Sequence, residues 1–412
     1  MPAAHCGNPH HITKILFSRD KRMLIKRRKP CAIRRSADAK PGLSVAAYRP
    51  LRVALGTALL LMGTQAVHAQ SNVEVYGLLD VAVEHVTNAN AAGDSLTRMP
   101  SLSGGLAPSR IGFRGTEDLG DGLKLVFTLE SGFSPDTGMS GQGNRLFGRQ
   151  SWIGLSGKWG TVTMGRTYSM IYISFLESDV IGSSQFSIGS LDGYLIARHD
   201  NSVAYRGVFG PLTVGATYSL GRDASAAGGP NGTNCGGEVA SDKRACRNWS
   251  AMLKYDAGIW GLVGAHDTYH GGAGALAPFS LTSSALSDSR THAGGYVKFG
   301  TLKLAGGYVK RDNEGSSTMP KSDLGYLGVS YPVTPLLVLD AQASRLKFKN
   351  SERSAKLLVV RANYLLSKRT SVYVMAGNIN NDGDAAVALS AGGSVGTGLA
   401  QTGVLTGIKH SF

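Results

Sequence analysis

From Val73 to Phe412 apolar and polar residues alternate in one short run after another, and a period of two is the mark of β-strands. The stretch SRIGFRGTEDLGDGLKLVFTLESGF, Ser109 to Phe133, shows the unit. Arg110 and Arg114 fall on one side of a strand, with Ile111 and Phe113 on the other. The chain turns through Asp118-Leu119-Gly120-Asp121-Gly122 and resumes with Leu123, Leu125, Phe127 and Leu129. A soluble sheet alternates because one face packs on a core while the other meets water. A membrane barrel alternates because one face meets lipid and the other a wet lumen. Either setting satisfies this stretch alone, so the rest of the chain must decide.

Counting alternating runs from NVEVYGLLDVAVEH to GVLTGIKHSF gives about sixteen, within the range of even-numbered transmembrane barrels. Tight turns alternate with longer Gly-, Ser- or Asn-rich connections, which is how outer-membrane barrels place short turns on one side and long loops on the other. A soluble sandwich would not keep that rhythm for so many strands. A parallel-sheet enzyme would need helices between strands, and helical character is confined to a short turn between Tyr168 and Ile188. No run after the leader reaches the ~20 apolar residues of a membrane helix. The expected fold is therefore all-β, a transmembrane antiparallel barrel. Tyr205, Tyr218, Trp249, Tyr255, Trp260, Tyr269, Tyr296, Phe299, Tyr308, Tyr326, Tyr331, Tyr364 and Tyr373 fall mostly near strand ends, where barrels carry interfacial aromatic girdles.

The formal charge of +15 would suit a nucleic-acid partner, but its distribution argues against one. Residues 1–69 hold 13 Lys and Arg against Asp20 and Asp38, leaving 30 basic and 26 acidic residues, a net of +4, in the rest. Residues 1–69 have the layout of an export signal: Arg49 and Arg52, an apolar core at 53–62, then small residues before a cleavage site after Ala69. Met1 to about Gly42 reads either as an upstream mis-start or as a long basic extension. Residues 70–412 would form the barrel. Cys235 and Cys246 share one polar loop, and in an oxidising compartment they form a candidate disulfide; a metal site would want further His or Cys beside them.

VEVYGLLD, SRIGFRGTEDLGDGLKLVFTLESGF, GRQSWIGLSGKWGTVTMGR, NSVAYRG and the closing GIKHSF together resemble the general porins of Gram-negative outer membranes, in the β-proteobacterial branch. The resemblance runs from Val73 to Phe412. It implies a homotrimer of barrels in outer-membrane lipid, with Phe412 as a barrel-assembly signal and a third long loop folded inward as a constriction. The matching segment is 168–200, whose acidic residues are Glu177, Asp179 and Asp192, with Asp200 at its end. The facing basic wall would be Arg110, Arg114, Arg149 and Arg166. Lipid on the Ile111 and Phe113 side forces Arg110 and Arg114 inward, since an arginine facing lipid at mid-depth costs about 2–4 kcal/mol. Arg166 instead shares strand parity with Val162 and Met164, which should face lipid unless a bulge or a strand end intervenes. Around Arg149 the outward pair could be Trp152 and Gly154 or Ile153 and Leu155.

The expected function is passive diffusion of small hydrophilic solutes and ions through an open channel with a mild anion preference, since rings of arginine favour anions. It calls for no cofactor, no metal and no catalytic residue. The alternatives are a substrate-specific channel or, from another class, an outer-membrane barrel hydrolase needing a nucleophile and base in reach. His85, His199, His266, His270 and His292 sit in no recognisable triad setting. Loops 220–248 and 378–400 read as exposed polar loops that could carry adhesive contacts.

Overall fold

The computed structural model describes residues 72–100, 104–196, 198–222, 235–273, 275 and 280–412. The export signal and its cleavage point after Ala69 lie outside the described residues. The barrel begins with β1 (Asn72–Val86), followed by a three-residue β2 (Leu96–Arg98), β3 (Arg110–Gly120), β4 (Leu123–Gly132), β5 (Gln150–Gly157) and β6 (Gly160–Tyr168). It continues with β7 (Arg198–Phe209), β8 (Leu212–Gly221), β9 (Asn248–Asp256), β10 (Trp260–His270), β11 (Ser287–Phe299) and β12 (Leu302–Asn313). The last strands are β13 (Lys321–Pro332), β14 (Leu337–Phe348), β15 (Ser354–Leu365), β16 (Thr370–Asp382) and β17 (Gln401–Ser411).

Each strand pairs antiparallel with its neighbours, and β1 closes the ring. Residues 72–78 of β1 pair with β3, while 78–86 pair with β17, so one long strand serves two partners at different heights. Apart from β2, which hooks onto the end of β1, the strands form a single sixteen-stranded barrel with no open edge. Phe412 and Gly77 exchange backbone hydrogen bonds at 3.1 Å in both directions. The Phe412 ring lies where a Cβ on Gly77 would stand, so only glycine fits beneath the terminal ring.

What decides between sandwich and membrane barrel is which residues are hidden. Val73, Leu262 and Leu327 are 60%, 61% and 66% exposed, while Asp80, Glu84, Asp288 and Arg290 are 0% exposed. A soluble fold buries the apolar set; this one turns it outward and packs charge inside. Only a lipid solvent makes that arrangement favourable, at roughly 25 cal/mol per Å² of apolar surface kept from water. Exposed rings gather in two belts. Tyr255, Trp260, Phe299, Tyr331 and Tyr364 lie toward the tight turns, and Tyr218, Trp249 and Tyr308 toward the other end. From Trp249 to Tyr255 is about 20 Å of strand, or about 15 Å of height at the usual barrel tilt, within the apolar band of such barrels. Tyr269, Tyr296, Tyr326 and Tyr373 do not join the belts: they are buried, because their parity points them into the lumen.

The long side is also less uniform than the sequence suggests, since the connections 314–320 and 349–353 are short. The other six long-side connections are all longer, and described residues of 104–109, 169–196 and 383–400 turn toward the inside of the barrel.

Candidate functional site

The segment 169–197, between β6 and β7, contains two short helices, α1 (Met170–Phe175) and α2 (Ile188–Leu191). Its length and apolar residues allow it to pack against the wall instead of extending into solvent. Ser169 caps α1 by accepting from the Tyr172 amide, and Ile171 and Phe175 are buried. Ser174 Oγ lies 2.8 Å from His292 Nδ1 of β11, whose Nε2 lies 2.8 Å from the Tyr326 hydroxyl of β13. Ser178 bonds that same hydroxyl at 2.7 Å. Further along, Arg361 of β15 donates to the carbonyls of Val180 and Ile181 at 2.8 and 2.9 Å, and Gln342 of β14 accepts from the Val180 amide. Lumen-facing side chains from β11 to β15 thus hold the segment against the inner wall. Of the segment 168–200, Tyr168 and residues 198–200 belong to strands.

Its three acidic residues are each engaged. Glu177 meets Lys254 at 3.2 Å and Lys303 at 4.0 Å. Asp192 takes a two-pronged contact from Arg290, at 2.7 and 3.1 Å. Asp179 accepts from the amides of Ile181 and Gly182, closing its own turn, and its enclosure there pushes the carboxyl up to about 6.

Two other connections join it. The amides of Gly105, Leu106 and Ala107 converge on Asp80, drawing the 104–109 stretch inward. In the last loop, Ala391 donates to the Gln185 carbonyl at 3.0 Å, and Ser390 bonds the buried Glu84, which also meets Arg98 at 2.6 Å. Residues 378–400 are therefore not simply an exposed loop: 378–382 are strand, and Ala385, Leu389 and Ser390 are buried.

Between these elements lies a cavity of about 920 Å³. Arg110, Arg149, Arg166, Arg198 and Arg222 line it, and no Asp or Glu does among its described residues. Arg149 donates to Glu130 at 2.8 Å and to the Tyr168 hydroxyl at 2.7 Å, and Arg110 stands 3.6 Å from the same Glu130. Arg166 pairs with Asp200 and donates to the Gly148 carbonyl. Its inward position against strand parity has a local cause. Gly165 adopts φ +128° and Asn201 φ +46°, and β7 takes three steps from Ser202 to His199 where β6 takes two. Met164 can then face outward while Arg166, two residues on, is buried. Around Arg149 the outward pair is Ile153 and Leu155, with Arg149 itself just ahead of β5.

Arg114 stands apart. It is more than half exposed and makes a bidentate contact with Glu74 at 2.8 and 2.9 Å, in register across β1 and β3 and away from the cavity lining. Arg198 and Arg222 were missed by sequence reasoning; their only signal is adjacency to segment ends that fold inward. Cys235 and Cys246 are disulfide-bonded, and Cys235 exchanges backbone bonds with Arg222, fastening that arginine's loop. Phe412 closes the β1–β17 seam, with Val404 and Ile408 exposed on its face. Among the described residues no group of three or more His, Cys, Asp or Glu is placed to hold a metal ion.

A family model described as Gram-negative porin matches residues 56–384, most of the chain. The chain belongs to that porin family. Outer membrane porin protein 32 of Delftia acidovorans is 29% identical over 374 residues, spanning 86% of this chain and 97% of the relative. An outer membrane porin of Bordetella pertussis is 38% identical over 166 residues, which are 37% of this chain and less than half, 43%, of that relative. Among solved structures, the anion-selective porin from Comamonas acidovorans superposes with a TM-score of 0.67 at 26% identity, covering 83% of this chain and all of that one. This porin is a channel of the Gram-negative outer membrane for passive diffusion of small hydrophilic solutes and ions, with lipid outside the barrel and water within.

Proposed function

We propose that this porin is a continuously open channel with a mild anion preference, assembled as a homotrimer, whose throat is formed by the 169–197 segment and the arginine wall. One observation carries the sign: five arginines and no described carboxylate line the cavity. Behind the lining, Glu130 answers to both Arg110 and Arg149, Asp200 answers to Arg166, and no described carboxylate is in ion-pair contact with Arg198. Positive charge exceeds negative among the described residues that line this cavity, so anions are concentrated there and cations repelled. The loop carboxylates do not cancel this, since Glu177 and Asp192 are taken by the opposite wall. Arg114, exposed and paired with Glu74, belongs in this reading to the mouth instead of the throat.

The reading needs no catalysis. The one Ser–His contact among the described residues that a barrel hydrolase would use, Ser174 with His292, is buried on both sides, and His292 turns its other nitrogen to Tyr326 instead of a carboxylate. Phe175 stacks on the imidazole at 4.2 Å, which supports a fastening role for the pair.

Conductance in a planar bilayer under a salt gradient tests the proposal. Ohmic steps in groups of three with an anion-sign zero-current potential are expected. A cation-sign potential would overturn the selectivity assignment, and single independent steps the trimer.

A further inference from the structure

The inward segment carries one carboxylate that is bound and yet accessible. Glu177, two residues past α1, meets Lys254 of β9 at 3.2 Å and Lys303 of β12 at 4.0 Å, and its side chain is 44% exposed. Asp192, held by Arg290, keeps only 10% exposure, as a fastener should. The lysines belong to a larger cluster. Strand parity turns Lys254, Lys298 and Lys303 into the lumen, since Met252, Tyr296 and Ala305, each two residues away on the same strands, are buried. Lys298 and Lys303 stand directly opposite each other in the β11–β12 register, a placement that like charges disfavour. The Tyr296 ring lies 5.2 Å from one ammonium and 5.0 Å from the other. Among the described residues only Glu177 and Asp256 are in ion-pair contact with the three lysines; Lys298 reaches the Gly258 carbonyl instead. Three cations share two carboxylates, and one of those carboxylates sits on an accessible arm.

We infer that Lys254, Lys298 and Lys303 form a lumen site for small carboxylate solutes, in which Glu177 is a built-in competitor. This inference rests on the anion-preferring reading above and adds a second site, on the wall that faces the arginines. The Glu177 carboxylate shows what the site accepts: one carboxylate bridging two ammonium groups. An ion pair this exposed is held weakly, and its loss shifts an equilibrium by about fivefold at most. A passing carboxylate therefore exchanges with Glu177 at little cost, and the returning side chain expels it. Conduction requires sites that admit an ion and also release it, and the competitor supplies the release.

The test measures conductance of the exported protein in a planar bilayer as sodium acetate is raised, with chloride steps confirming an inserted pore. Saturation marks a binding step within the lumen. Glu177→Gln should lower the half-saturating acetate concentration about fivefold, and adding Lys303→Gln should return it toward wild type. Removing any lumen carboxylate also alters the field, so crystals of both variants soaked in sodium bromide give a second readout. An anomalous bromide peak beside Lys254 and Lys303 is expected in the single variant and absent from the double one. An unchanged half-saturating concentration in Glu177→Gln, or no bromide peak there, under an anion-sign wild-type potential, would overturn the site and leave the anion preference standing. A cation-sign wild-type potential would remove both.

Discussion

The lumen has two walls built from the same residue types but balanced differently. From β10 to β15 the buried Arg290 reaches Asp192 and Asp288, and the partly buried Arg311 and Arg361 reach Asp288 and Asp340. That wall is neutralised, and its side chains hold the inward segment. From β3 to β8, among the described residues, Glu130 is shared by Arg110 and Arg149 and Asp200 pairs with Arg166, and these arginines face a cavity that no described carboxylate lines. Arginine thus acts as a fastener on one side and as a fixed charge on the other. What separates the roles is the count of carboxylates within reach, which residue identity alone does not convey.

The largest effect should come from breaking the fastened wall. Arg361→Ala leaves Asp340 buried without its cation and releases the Val180 and Ile181 carbonyls. A loss of about 3 kcal/mol in unfolding free energy is expected, read from the urea midpoint in detergent. A midpoint unchanged from wild type would mean that this wall does not hold the segment.

On the charged wall, Arg198→Gln removes a cation without orphaning a carboxylate. A unit charge ~6 Å from a permeating ion in water is worth ~0.7 kcal/mol, attractive for an anion and repulsive for a cation, so the anion-to-cation permeability ratio should fall by about tenfold. Arg114→Gln, at the mouth, should leave the ratio near wild type, because its charge is already answered by Glu74. Equal shifts in the two variants would erase the distinction between throat and mouth.

A smaller effect sharpens the comparison by pH. Enclosure raises the Asp179 carboxyl to about 6, so the folded chain holds that proton more tightly than the unfolded chain, where the value is ~3.9. Its cost to stability is full above about 6 and fades as the pH falls toward ~4. Protonation also removes a negative charge from the segment, so the zero-current potential should move toward anions between pH 7 and pH 5. The shift should stay under twofold in permeability ratio, because Asp179 does not line the cavity. Asp179→Asn should flatten it; a variant that titrates as wild type does would assign the shift elsewhere.

Much of the barrel was legible because alternation is a local property. Arg110 could be assigned to the lumen from Ile111 and Phe113 alone, since a strand has only two faces. Arg166 shows where that rule stops: its parity pointed to lipid, and the positive φ of Gly165 and the extra residue on β7 turn it inward. Tyr326 and Tyr373 show the same limit for the aromatic belts. Nearness to a strand end does not tell which face a ring takes, and both rings point inward to bond Ser178 and Asp80.

By itself, then, the sequence determined the period, the number of barrel strands, the polarity of the two faces and the family, because each is written in neighbours within a few residues or in a contiguous motif. The tertiary structure decided which charges remain uncompensated. Glu84 reaches Ser390 across 306 residues and Arg361 reaches Ile181 across 180, while Arg110 and Arg149 converge on one glutamate. A closed barrel brings distant strands face to face across a narrow lumen, and electrostatic energy depends on those distances, which no local pattern specifies.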